Sequence, residues 1–173
     1  VLFTLFHHAF SSVVMKKPTL FGIGALVLAA LCWLAFSFFG IQSLFTNQEV
    51  TEKISSDIEK AIQSGNSDQV LASGDFQQGD STYTIQGKVF LTKIDSELQL
   101  TFKEFEVTNG PNLYVYAVKT DQTDNNTVKK AVADSGFIRI GELKGNIGDQ
   151  SYTLDSNFDP KTYSVISIWC QRF

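Results

Sequence analysis

Few side chains in this 173-residue chain could carry chemistry. Its two cysteines are Cys32 and Cys170, its two histidines His7 and His8, and its single methionine Met15. After Met15 there is no His or Met, so haem iron held by either is excluded there, and Cys or Tyr would have to serve. A histidine metal site, a Ser-His-Asp triad and a Cys-His pair fail on the same count. So does blue copper, which needs two His and one Cys. No cofactor is therefore assigned, and any haem is expected to be borne by a partner. Asp155, Asn157 and Asp159 have the opening spacing of a calcium loop, but Pro160 stands where Gly is required and Ile166 where the bidentate Glu belongs. No metal site is expected.

Cys170 remains as the candidate redox thiol. As a functional group it would cycle through oxidised forms or ligate a partner's cofactor. As a structural group it would be a small buried apolar residue, since alternation puts it on one strand face with Ile166 and Ile168. Arg172, on that face, would favour the thiolate. Trp169 and Tyr163 could relay electrons or simply fill a core. Cys32 lies in an apolar run and cannot pair with Cys170 in a folded monomer.

The elements that position Cys170 follow from how charge and hydropathy are distributed. Lys16 and Lys17 are the only charged residues before position 46; all 18 acidic residues lie after it, and the rest of the chain is formally −6. An apolar head thus joins an acidic, polar body of one-domain size. Gly, Pro and Cys contents exclude collagen-like, disordered and disulfide-dense classes. The body has no basic stripe to neutralise phosphates, so nucleic acid is not an expected partner.

Residues 20–39 (LFGIGALVLAALCWLAFSFF) carry no charge. As a helix rising ~1.5 Å per residue they would span a hydrocarbon layer of ~30 Å, so the lipid bilayer is the expected partner. A cleaved signal peptide would have a shorter apolar core and a small-residue cleavage site, which Ala35-Phe36-Ser37 imitates only weakly. Lys16 and Lys17 place the N-terminus in the cytoplasm and the body outside it, in a single-pass arrangement at the cell membrane. Met15-Lys16-Lys17-Pro18 is how an anchor segment begins, so residues 1–14 read as a doubtful leader and Met15 as the expected start. Residues 15–45 then hold the Lys pair and the anchor.

Residues 46–73 read as a helical stem. Val50, Ile54, Ile58, Ala61 and Ile62 recur at three and four residues, predicting an amphipathic helix of about four turns that stops near Gly65-Asn66. It serves as a membrane-surface or partner helix, or as a spacer docked on the domain. From Gly74 the period becomes two. Strands are predicted at Tyr83–Leu91, Leu98–Lys103, Leu113–Val118, Phe137–Ile140, Tyr152–Leu154 and Tyr163–Phe173, with a phase shift at Phe105 and Val107 that reads as a bulge. Thr120–Val128 reads as a polar loop, and no strong helix is expected among the strands. The fold class is all-β, an antiparallel β-sandwich or barrel-like domain over residues 74–173, preceded by an N-terminal transmembrane helix and the short helical stem. The last strand is apolar on both faces, which predicts a central, covered position; the sequence ends within it, which suggests truncation.

Several blocks are then recognisable in order: Gly74-Asp75-Phe76, Gly87-Lys88-Val89, Asn109-Gly110-Pro111-Asn112-Leu113-Tyr114-Val115-Tyr116, Leu143-Lys144-Gly145-Asn146-Ile147-Gly148-Asp149-Gln150-Ser151-Tyr152 and Val165-Ile166-Ser167-Ile168-Trp169-Cys170. Over residues 70–173 they resemble the DM-thirteen, Skeletor-type electron-transfer domain. The resemblance implies an extracytoplasmic all-β domain whose single late cysteine, matched by Cys170, is redox-active, and a family pattern that continues past it. The expected function is a membrane-anchored accessory in electron transfer, working with a redox protein partner and not as an independent enzyme. The alternative is a non-catalytic binding or structural module at the cell surface with a buried, inert cysteine.

Overall fold

The computed structural model describes residues 17–39, 46–79 and 81–171, with side chains from 22 onward and not at Phe39. The doubtful leader, Met15, Lys16 and Arg172 fall outside these residues. The chain divides into two compact units after Phe39.

The first unit holds α1 (Lys17–Phe39). Ile23, Leu26, Leu28, Leu31, Trp33, Leu34 and Phe38 all stand exposed on it. It is apolar around its whole circumference, as a helix without an amphipathic face must be. Among the residues whose side chains are described, no helix is long and apolar enough to cross a membrane, so the anchor reading rests on the sequence of the whole run.

The second unit begins with α2 (Ser56–Ser64), followed by β1 (Val70–Asp75), β2 (Ile85–Ile94), β3 (Glu97–Val107) and β4 (Leu113–Val118). Next come α3 (Asn125–Ala133), β5 (Phe137–Glu142), β6 (Gln150–Leu154) and β7 (Val165–Cys170). The strands form two sheets of order β1-β2-β3-β6 and β5-β4-β7, with every pairing antiparallel. The domain is mostly β, with helices added. Phe102, Phe105, Leu100 and Val115 are almost fully buried between the sheets, and Ile166 and Ile168 pack on the same core. Alternation explains this: Leu98, Leu100 and Phe102 share one face of β3.

The phase shift is real. Gln86 faces Glu106 and Lys88 faces Lys103, so Gly87 alone opposes two residues, Glu104 and Phe105. Glu104 takes a φ of 52° and Gly87 one of 115°. This is a β-bulge, and it returns Phe105 and Val107 to the buried face.

Three expectations need correction. The stem helix is only nine residues long. Ser55 caps it, and Ile58 and Ala61 are buried as the periodicity predicts. Val50 is not helical because its backbone is used elsewhere: Val50 N–H donates to Ile147 O (2.9 Å) and Glu52 N–H to Asp149 O (3.0 Å). The stretch predicted as a polar loop includes the start of α3. Asp124 caps it by accepting from Thr127 N–H (3.0 Å), and Val128, Ala131 and Val132 pack on Tyr116 and Val118 behind the second sheet. Finally, β7 is not central among the described residues: β4 lies between β5 and β7, and every residue of β7 is only partly buried. β1 was missed because five of its six residues are exposed and show no alternation.

Residues 46–52 form a strap on the 143–151 loop. Glu52 accepts from Lys144 Nζ (2.6 Å) and from Ser151 N–H (2.8 Å). Burial raises the Glu52 carboxyl, but the bonds from Lys144 and Ser151 outweigh it and hold the group below its ordinary 4.5. A carboxylate depressed in the fold adds stability that is present above its unfolded value and is lost as pH falls through the folded one. The strap is therefore expected to loosen as pH falls below the ordinary carboxylate range. Hydrogen exchange of its amides between pH 6 and 3, corrected for intrinsic rates, would show it; unchanged protection would contradict this role for Glu52.

Candidate functional site

The Asn109-Gly110-Pro111-Asn112 turn and the end of β7 meet at Cys170. β4 and β7 pair in register, with Leu113 opposite Cys170 and Tyr114 opposite Trp169. The turn just before β4 therefore falls beside the cysteine. Cys170 Sγ–H donates to Pro111 O (3.1 Å), and Gln171 N–H donates to Asn112 O (3.1 Å). Asn112 has a φ of 55°, a left-handed conformation that asparagine tolerates well. Asn109 Oδ1 accepts from Gly110 N–H (2.8 Å), closing the turn on itself.

Cys170 is half-buried and unpaired, and Cys32 is exposed in the other unit. The sulfur-bearing end of β7 lines a cavity of about 640 Å³. The cavity opens between the edges of the two sheets, where Phe76, Ile85, Val107, Ile166 and Ile168 give it apolar walls. Its size is within the usual range for small-ligand pockets. Thr84, Thr108, Asn109 and Ser167 add polar groups to the lining. Cys170 thus does share a region with Ile166 and Ile168, but these residues border open space as well as core.

Trp169 lies on the opposite face, with Tyr116 and Val128. Its ring stacks on Tyr116 (6.1 Å between centroids, 11° between planes), and Tyr116 stacks on Phe137 (4.3 Å, 13°). Tyr114 carries Arg139 over its ring at 4.5 Å. These rings sit mainly in the small core under α3. Tyr163 is elsewhere, stacked on Phe158. The structure therefore does not bring the two proposed relay residues together.

The calcium-like triplet is a pair of turns. Asp155 accepts from Asn157 N–H (2.8 Å), while Asp159 accepts from Thr162 Oγ1 (2.6 Å) and Lys161 N–H (3.0 Å). The hydrogen bond from Thr162 chiefly holds Asp159 below the usual carboxylate range. Among the described residues, no three His, Cys, Asp or Glu side chains gather to hold a metal ion.

A second polar cluster was not anticipated. Gln150 is fully buried and donates to Gly145 O (2.9 Å) while accepting from Tyr152 Oη (2.8 Å) and Lys144 N–H (3.1 Å). Burial pushes the Tyr152 hydroxyl up to about 12. Nothing in this cluster faces the cavity, so it supports the 143–151 loop. The contact of Pro111 O with the thiol is not visible in strand patterning; it follows from the register of β4 with β7.

The comparison with known families is decisive on identity. The family model described as Electron transfer DM13 matches residues 75–173. The chain belongs to the DM13 family. The match covers β2 to β7 and only Asp75 of β1, and it ends beyond Cys170. The DM13 assignment points to a function related to electron transfer. No curated protein matches the chain, and no solved structure matches it.

Proposed function

We propose that this DM13 chain is a membrane-anchored, extracytoplasmic accessory in electron transfer, with Cys170 as its redox thiol. The observation that carries the reading is the place of Cys170 in the matched domain, at the wall of an open cavity and without a disulfide partner. A thiol so placed suits exchange with a disulfide-bearing partner protein. The Cys170 thiolate attacks one partner sulfur, a new S–S bond forms, and the other partner sulfur leaves as a thiolate that takes up a proton.

The anchor supports delivery to a membrane surface. α1 has 23 residues, about 34 Å of helix at ~1.5 Å per residue. Its exposed Leu, Ile, Trp and Phe side chains favour lipid over water. Lys16 precedes it and Lys17 opens it, and this charge pair keeps the N-terminus in the cytoplasm. A protein lacking residues 17–39 is expected to leave the membrane fraction for the soluble one on alkaline extraction; retention there would remove the anchor from the reading.

Glutathione disulfide serves as the probe for exchange. With Cys32→Ser in place, the native chain is expected to form a mixed disulfide at Cys170, detected by intact mass. The same chain carrying Cys170→Ser should form none. Formation only after denaturant is added would favour the inert module, in which the Sγ–H bond to Pro111 is purely structural.

A further inference from the structure

Residues 46–52 follow α1 after only six residues, and they are seated in a cradle built for them. Gly148 has a φ of 106°, and a Cβ there would lie 2.0 Å from Val50 O. A Cβ on Gly145 would lie 2.5 Å from Gln48 O. Only glycine at both positions lets the strap backbone approach this closely. Asn146, buried to 4 % exposure, reads the strap from below: its Oδ1 accepts from Gln48 N–H (2.6 Å), and its Nδ2 donates to Asn47 Oδ1 (3.1 Å) and Val107 O (3.2 Å).

The strap continues to the cysteine through one turn. Asn109 Nδ2 donates to Thr46 O, at the start of the strap. Asn109 Oδ1 closes the turn by accepting from Gly110 N–H, and the next residue, Pro111, provides the carbonyl that takes the Cys170 Sγ–H. Asn146 O also accepts from Val107 N–H (2.9 Å), fixing the end of β3 two residues before that turn. Strap and thiol are thus joined by an unbroken path of hydrogen bonds and short covalent links.

We propose that residues 46–52 are a latch whose seating on the 143–151 loop and Asn109 holds the turn that restrains the Cys170 thiol, and so sets how readily that thiol reacts. Unseating the strap removes the Thr46 contact, loosens the Asn109–Pro111 turn and frees the sulfur from its carbonyl. The bond from thiol to carbonyl must be given up before the sulfur can attack an electrophile. The inference holds whether or not Cys170 carries electrons, since it concerns the sulfur's accessibility.

The test uses the full chain with Cys32→Ser, so that N-ethylmaleimide reads Cys170 alone. Two variants unseat the strap from opposite sides: Val50→Pro with Glu52→Ala on the strap, and Gly148→Ala on the loop. Amide exchange is followed in the strap and in β3. Alkylation is expected to rise about five-fold in both, the factor for losing one hydrogen bond worth roughly 1 kcal/mol. β3 amides should stay protected, and Thr153→Ala, at the far end of β6, should leave the rate unchanged. Parent-like alkylation in both strap variants would overturn the latch. So would a rise that follows loss of protection in β3, because general unfolding would then explain it.

Discussion

Phe102→Ala is expected to destabilise the domain by about 3–5 kcal/mol, the range for removing a large buried aromatic side chain. Phe102 has no exposed surface. Its ring meets Phe76 edge-on at 5.0 Å, Phe105 at 5.1 Å and Tyr152 at 5.6 Å. These partners come from three directions: the segment after β1, the bulge of β3, and β6. Alanine would leave a void that none of them can fill without breaking a sheet register. Since a domain of this size has a total stability of about 5–15 kcal/mol, the variant should lose much of its folded population under mild denaturant. Urea unfolding followed by circular dichroism measures the shift. A loss below about 1 kcal/mol would mean that the aromatic cluster is not the centre of the core.

Gly87→Ala is expected to cost about 3 kcal/mol or more, combining backbone strain with a steric clash. The position has a φ of 115°, and a Cβ would come within 2.8 Å of Phe105 Cα and 2.9 Å of both Glu104 O and Lys103 O. All three neighbours are backbone of the bulge, so a side-chain rotation cannot relieve the contact. Gly74→Ala is the matched control, with only Val89 Cγ1 nearby at 3.9 Å. It should change stability by less than about 0.5 kcal/mol in the same titration. Equal effects at the two glycines would contradict the requirement for glycine opposite the bulge.

The bulge was legible in the sequence because one residue changes phase while both flanking runs keep a period of two. The β3 core residues were legible for the same reason. α3 was not found, although Asp124 precedes it and Val128, Ala131 and Val132 have helical spacing. The Asn- and Thr-rich start hid a helix whose buried stripe is only one side chain deep. The strap was unreadable because its seating depends on backbone bonds to a loop about a hundred residues away. No local pattern in 46–52 encodes Gly148.

The candidate site divides in the same way. Counting alone isolates Cys170, and alternation alone places it with Ile166 and Ile168. An apolar strand on both faces suggests two neighbours, but β7 has β4 on one side and the cavity beside it. Whether sulfur meets core or open space depends on the relation of two sheets, which strand patterning does not specify. The contact with Pro111 follows from the register of β4 and β7, another tertiary property.

The reactivity of Cys170 in the native fold is the central claim, and the rate of its alkylation across a urea series tests it most directly. With Cys32→Ser in place, the reading predicts measurable N-ethylmaleimide modification without urea, at a rate that stays flat until the unfolding transition begins. A native rate that rises with urea in proportion to the unfolded fraction, extrapolating to none in the folded protein, would make Cys170 an inert core residue and contradict the redox reading.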